Sequence, residues 1–504
     1  MSIPSAGDSE TAVEYQTEGV IVTAAQLQTH EEIPDLPLYA AAPKVYPQSV
    51  YGTYRRIKWI LLVITLGIYY FLPFVRWNRG PNEPSQAVLV DFARRKFYFF
   101  FIEIWPQEVY YITGLLILAA MTLFLMNALA GRVWCGYLCP QTIWTDLFLA
   151  TERWIEGDRR ERIQKDSGRW TFARLREKSL KHFFWLMIAW WTGGAWVNYF
   201  ADAPTLVRDL ATLRAPAVAY VCIGILTFTT YVFAGFMREQ VCLFMCPWPR
   251  IQAALTDENA LNVTYRYDRG EPRTSLKKSA ALKARGEHPG DCVDCGQCIA
   301  VCPTGVDIRN GANLGCIQCG LCIDACDNVM KKIGRSPRLI AYDTDGNVAG
   351  RLAGKASVFK PVRSRTILYA AIIAVVGGVM IASLAARTDM AVTVMHDRNP
   401  MFVVTADGSI RNALTVHIGN RQAKARQFEI KTDLESSRVE VAGVSNIPGG
   451  WPAVDVGPDQ IREVRVLVTL PATAHPPQRQ ALTLRIIDLV SGEAANVTDS
   501  FIAP

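Results

Sequence analysis

Two cysteine phrases, written one after the other, are the part of this chain best equipped for chemistry. The first is Cys292-x-x-Cys295-x-x-Cys298-x-x-x-Cys302-Pro303, and the second is Cys316-x-x-Cys319-x-x-Cys322-x-x-x-Cys326-Asp327. A C-x-x-C-x-x-C loop wraps three thiolates around three corners of a four-iron cube, and in two-cluster proteins the fourth cysteine of each run ligates the other run's cluster. The spacing therefore assigns Cys292, Cys295, Cys298 and Cys326 to one [4Fe-4S] cluster. Cys316, Cys319, Cys322 and Cys302 go to a second. Structural zinc is the plain alternative, but zinc sites pair two CxxC hairpins and leave no reason for a third cysteine at the next step. Disulfides are the other alternative, and the cytoplasmic placement argued below disfavours them. Two such clusters move electrons one at a time.

Four more of the 13 cysteines form two CxxxCP pairs. These are Trp134-Cys135-Gly136-Tyr137-Leu138-Cys139-Pro140 and Cys242-Leu243-Phe244-Met245-Cys246-Pro247. If each pair is helical, the i,i+4 spacing puts both sulfurs on one face, and the proline ends the helix. Four soft thiolates converging from two helix ends suit Cu(I), zinc or a further iron–sulfur cluster. The bland reading is that small cysteines pack the helix ends. Two pairs with the same spacing and the same following proline favour a redox or metal role. Cys222 stands alone within an apolar stretch and reads as packing. Met395 and His396 are possible copper ligands that read better as part of a linker. His182 is the sole histidine near any apolar stretch, and no CxxCH occurs, so haem has no ligands here. No GxGxxG follows a strand, which argues against a built-in nicotinamide or flavin domain. Electrons must come from outside the chain, from a cytoplasmic donor or a quinol.

The elements that must hold these cysteines are membrane helices. Half of the 504 residues are hydrophobic, and the net charge of +7 is too modest to argue for nucleic acid. Five stretches have the roughly 20 apolar residues a bilayer demands: 59–75, 109–130, 183–200, 216–237 and 366–386. Lys and Arg concentrate before the first, between the second and third, and between the fourth and fifth, which places those segments in the cytoplasm. The loop with Arg76, Arg79, Arg94, Arg95 and Lys96 dissents. The expected order is a disordered cytoplasmic tail over 1–50, a four-helix membrane domain over 51–250 with both CxxxCP pairs, and a cytoplasmic two-cluster ferredoxin-like domain over 251–362. A fifth transmembrane helix over 363–388 and a periplasmic all-β domain over 389–504 complete it. In the last segment Leu414, Val416 and Ile418, then Val464, Val466, Val468 and Leu470, then Leu482, Leu484 and Ile486 alternate with polar residues, the pattern of a half-buried β-sandwich. No basic n-region precedes an apolar run near the start, so no cleavable signal peptide is expected.

Phe101-Ile102-Glu103-Ile104-Trp105-Pro106, the stretch from Gly131 to Gln141, the two cluster runs and Asp397-Arg398-Asn399-Pro400 together resemble the CcoG family, also called FixG or RdxA, from about Val45 onward. The resemblance implies a bacterial inner-membrane accessory protein for the cbb(3)-type cytochrome c oxidase, with an immunoglobulin-like C-terminal domain. It implies a cupric reductase whose copper is a substrate passed to copper chaperones, copper-exporting ATPases or oxidase subunits, and a homodimer as its oligomeric state. The eight cluster cysteines carry over position by position, as do Cys135, Cys139, Cys242 and Cys246. Asp327 departs from the ferredoxin pattern, in which proline often follows the second run. Two rival functions stay open: an electron conduit fed by quinol, and an assembly scaffold with structural clusters.

Overall fold

The computed structural model describes residues 15–17, 20–22 and 44–504, apart from 81–82, 389, 423, 445–449, 459 and 475. Met1–Val45 is a unit by itself, in which Tyr15–Thr17 pairs antiparallel with Val20–Val22. Of the tail expected over 1–50, the other positions up to 43 lie outside the described residues. From residue 46 the chain is held: Tyr46 donates to Asp166 at 2.8 Å, and Ser49 Oγ to Asp158 at 2.6 Å.

Five long helices run side by side: α1 (Thr53–Phe71), α2 (Tyr110–Ala130), α3 (Phe172–Val197), α4 (Ala217–Met245) and α5 (Ser364–Ala385). Each has a readable start or stop. Tyr54 and Arg55 at the head of α1 donate their free backbone N–H groups to the Asp324 carboxylate, at 3.2 and 2.8 Å. Gly131, at φ +56°, ends α2. Thr171 caps α3 by accepting from Arg174 N at 3.3 Å. Along α1 and α5 the apolar side chains of Ile60, Val63, Ile64, Val375, Val379 and Ile381 face outward, as lipid-facing residues do.

Four of these helices are long and apolar enough to cross a membrane, where five were expected. The exception is α3. It is helical over the expected stretch, but Lys178, Lys181, His182 and four tryptophans thin out its apolar character. It nonetheless joins the same two ends as its neighbours. Its start is tied by Lys181 to Glu156 at 3.0 Å, on the cysteine-bearing end. Its finish is tied by Asn198 O to Gln86 Nε2 at 2.8 Å, on the far end. It packs antiparallel on α4 at Gly193, where a Cβ would stand 2.9 Å from the Ile223 carbonyl.

At the far end lies a small antiparallel sheet of Val88–Asp91, Lys96–Phe99 and Ile102–Ile104. The C-terminal sandwich attaches there through Glu108, which takes Arg387 and Arg421 at 2.9 Å each. One sandwich sheet runs Arg438–Val441, Gln460–Leu470, Ile410–Asn420, Met390–His396, with Val403–Val404 also on Ile410–Asn420. The other runs Ala453–Val456, Arg426–Thr432, Arg479–Asp488, Ala494–Ile502. Leu414 stands opposite Val466 and Val416 opposite Val464, and all the alternating residues expected to face inward are buried. Each such side chain is worth about 1.5–3 kcal/mol of burial. Met395 and His396 are therefore strand residues rather than a linker. Both imidazole nitrogens of His396 are engaged, by Asp397 O and Asn412 Oδ1 at 2.8 Å each. Cys222 packs among Val197, Leu206 and Ile223, as expected for a space-filling residue.

Candidate electron-transfer site

The doubled cysteine phrase is doubled in the backbone as well. Asp294 and Gly296 in the first run, and Gln318 and Gly320 in the second, all take left-handed conformations, with φ of +52°, +66°, +55° and +71°. These two kinks per run curl each loop around its own thiols, and each glycine then starts a helix, Gln297–Ala300 or Leu321–Lys332. Cys292, Cys295, Cys298 and Cys326 line one small cavity with Tyr265, Met330, Leu339 and Ile340. Cys302, Cys316, Cys319 and Cys322 line another with Val306, Ile308, Ile317 and Leu321, and Cys298 also borders it. The crossing has a simple origin. Cys322 and Cys326 sit one turn apart on a single helix, yet each faces a different cavity.

Asp327 also finds its reason here. The Leu321–Lys332 helix continues through it, and its carboxylate accepts from Arg338 N at 2.6 Å. Proline would clash inside that helix, whereas Pro303 follows a helix that has already ended.

The walls fit an iron–sulfur cluster. They are apolar and thiol-rich, which is a soft donor set in a dry space. Burial, followed by the neighbouring thiols, pushes Cys326 up to about 12, and burial pushes Cys316 to the same level. Burial likewise raises Cys322 well above the ordinary thiol range. Thiols so placed stay protonated unless a cationic core takes their protons' place.

The four CxxxCP cysteines also meet. Cys135, Cys139, Cys242 and Cys246 line one cavity of about 260 Å³, together with Gln141, Thr142, Trp248 and Cys316. The two pairs are not straight helical turns as expected. In each, the first cysteine is helical and the second is extended, with ψ of 128° at Cys139 and 122° at Cys246. The prolines open new helices, Pro140–Glu156 and Trp248–Leu255. Around Cys242 the helix widens to i→i+5 bonding, with Cys246 N donating to Val241 O at 2.8 Å. Such wide turns recur at functional sites. Among the described residues no three His, Cys, Asp or Glu converge tightly enough to grip a single ion, so the four thiols surround a space rather than a point.

Residues that the spacing of cysteines does not reveal join the two centres. Gly136 is required by closeness: a Cβ there would lie 2.8 Å from Ile317 O and 3.1 Å from Cys319 Cα. Tyr137 OH donates to Cys319 O at 3.0 Å, and Tyr342 OH to Gln318 O at 2.5 Å. Cys135 Sγ donates to Gln252 Oε1 at 3.4 Å, on the Trp248–Leu255 helix, and Gln141 Nε2 donates to Phe233 O at 2.9 Å, on a widened turn of α4. The glycine inside Cys135-Gly136-Tyr137-Leu138-Cys139 was the one visible hint of this close approach.

Comparison with known proteins decides the family. The chain is 48% identical over 484 residues to "Nitrogen fixation protein FixG" of Rhizobium meliloti (strain 1021), covering 91% of this chain and 92% of that one. The chain belongs to the FixG/RdxA family. Two further FixG/RdxA relatives, "Protein RdxB" and "Protein RdxA" of Cereibacter sphaeroides, are each 46% identical, over 90% and 89% of this chain and 95% and 94% of theirs. The 4Fe-4S dicluster domain family matches residues 237–345, and the Ig-like fold at the C-terminus of FixG matches 380–504. A second family, the 4Fe-4S binding domain, matches 112–158, which contains Cys135 and Cys139. This FixG/RdxA chain is thus a membrane protein with iron–sulfur domains and redox activity of the oxidoreductase kind.

Proposed function

We propose that this protein takes single electrons at its cysteine-bearing end and delivers them to a soft-metal substrate in the cavity of Cys135, Cys139, Cys242 and Cys246, reducing Cu(II) to Cu(I). The observation that carries this reading is Cys316, which lines both that cavity and the one formed with Cys302, Cys319 and Cys322. Clusters held by the two crossed sets of four cysteines would supply reversible one-electron storage. Thiolates prefer Cu(I) to Cu(II), so the four CxxxCP cysteines bind the product better than the substrate and draw the reaction forward. The balance is one electron in from a donor outside the chain and one electron out to Cu(II), with no bond made in the protein.

The basic segments before α1, between α2 and α3 and between α4 and α5 adjoin the cysteine-bearing end, against the one basic loop over 76–96 at the other, and this balance supports a cytoplasmic location for the cysteines in a bacterial inner membrane and a periplasmic location for the sandwich. The resemblance to oxidase accessory proteins supplies the destination, Cu(I) for the cbb(3)-type oxidase, by way of copper chaperones and exporting ATPases. Replacing all four CxxxCP cysteines by serine should slow Cu(II) reduction at least about tenfold, or ~1.4 kcal/mol in barrier, while the iron–sulfur absorbance persists. The measurement is anaerobic stopped-flow of the reduced protein with Cu(II) and a chromogenic Cu(I) chelator. Undiminished turnover in that variant removes copper from the four-thiol cavity.

A second reading is favoured by the 4Fe-4S binding domain match over 112–158. In it the four-thiol cavity holds a further cluster, and the protein is a conduit fed by quinol. Iron loss in the same serine variant, with quinol oxidation that ignores copper, would select it.

A further inference from the structure

Eight lysines and arginines are buried among the described residues, and seven of them have an acid. Asp146 holds Arg55 and Lys58 at 3.4 and 2.7 Å, and Glu83 holds Lys96 at 3.0 Å. Glu152 takes Arg162 and Arg238 at 2.9 Å each, Glu156 takes Lys181 at 3.0 Å, and Asp488 takes Arg426 at 2.5 Å. The eighth is Arg132, only 6% exposed, and no carboxylate lies within 4.0 Å of it among the described residues. Among the described residues the partners of its guanidinium are backbone carbonyls. Nη1 donates to Leu314 O and, at 3.4 Å, to Cys316 O, while Nη2 donates to Pro249 O at 2.7 Å. Carbonyl dipoles solvate a buried guanidinium but leave its charge uncompensated, which is costly in a dry site.

The location says where the missing negative charge belongs. Arg132 lines the four-thiol cavity together with Cys135 and Cys316, one from each centre. Four thiolates outweigh the positive charge of an iron–sulfur core in either oxidation state, and reduction adds one more negative charge. Resting on the cluster reading above, we propose that Arg132 is the positioning and charge-compensating residue of the electron path. Its guanidinium favours the reduced state of the centre formed by Cys302, Cys316, Cys319 and Cys322, and its fork pins the 314–316 loop against the four-thiol cavity. The step it assists moves one electron in from a reduced one-electron carrier and one out to Cu(II).

The test is an anaerobic potentiometric titration of the full-length protein in detergent, followed by electron paramagnetic resonance. Arg132→Lys keeps the charge, while Arg132→Gln keeps a donor for the carbonyls without it. The glutamine variant should lower the reduced-to-oxidised ratio of this cluster at least tenfold at a fixed potential, about 59 mV for a one-electron couple. The lysine variant should stay near the unsubstituted protein, and the cluster of Cys292, Cys295, Cys298 and Cys326 should not move in either. Equal shifts in both variants, or none, would overturn the charge role. If Arg132→Gln loses iron and sulfide, Gln318→Glu offers a second route. Gln318 Oε1 accepts from Arg132 N at 2.7 Å, so this change sets a carboxylate beside Arg132 and should lower the potential likewise. An unmoved potential there also overturns the proposal. An unsubstituted protein without cluster signals would instead remove the cluster reading beneath it.

Discussion

At the scale of single residues, conformation and identity answer to one another. The left-handed kinks at Asp294, Gly296, Gln318 and Gly320 are what turn a spacing of cysteines into a cup. Gly136 is set by contact rather than by torsion, because any side chain there meets the cluster loop. Crossed ligation is the sharpest residue-scale claim, and it separates two neighbours on one helix. Cys326→Ala should abolish the cluster of Cys292, Cys295 and Cys298 and spare the other. Iron content and the surviving paramagnetic signal, compared with Cys302→Ala, give the readout. Loss of the Cys316 cluster in the Cys326 variant would mean that each run holds its own fourth ligand.

At the scale of elements, the CxxxCP motifs are junctions between helices, not turns of one helix. Each places one thiol on a helical residue and the next on an extended one, and the proline then fixes the start of the following helix. The sandwich shows how a buried pair secures a sheet corner. Asp488 Oδ2 accepts from Arg426 Nε at 2.9 Å and from Ser491 N at 3.1 Å. Burial raises the Asp488 carboxyl, but hydrogen bonds from Ser491 and Arg426 outweigh it and leave the value at about 2. A depressed carboxylate stabilises the fold fully above its unfolded value of about 3.9 and loses that contribution as pH falls through about 2. The β signal in circular dichroism should therefore weaken to heat between about pH 4 and pH 2. Asp488→Asn should flatten that dependence, and Asp488→Ala should cost about 1.5–3 kcal/mol at neutral pH, because Arg426 loses its charged hydrogen bonds there but keeps Glu493 at 3.1 Å.

At the scale of the whole molecule, the unit from Tyr46 onward has two ends with different chemistry. Twelve of the 13 cysteines and most buried ion pairs gather at one, while the aromatic sheet and the sandwich occupy the other. Five helices connect them, α3 among them despite its polar first half. A periplasm-dependent phosphatase fused after Pro504 should be active, and one fused in the 276–286 segment, between the membrane helices and the cysteine runs, should be silent. The reverse pattern would invert the orientation. A phosphatase active at both positions would remove α5 as a crossing helix.

Much of this protein is determined by local sequence. Cysteine spacing defines the donor sets because a short loop has few ways to close on a cube. Apolar runs define the helices, and period-two alternation defines the sandwich, because both patterns act through nearest neighbours along the chain. The count of spans was less legible, since α3 carries its lysines where acids from another helix meet them, and hydropathy cannot see a partner. Only tertiary structure brought Cys135, Cys139, Cys242 and Cys246 together and set Cys316 on their wall. It also left Arg132 without an acid among the described residues. These depend on groups more than 100 residues apart meeting in a dry interior, as Arg132 meets both Pro249 and Cys316, and no local pattern encodes such a meeting.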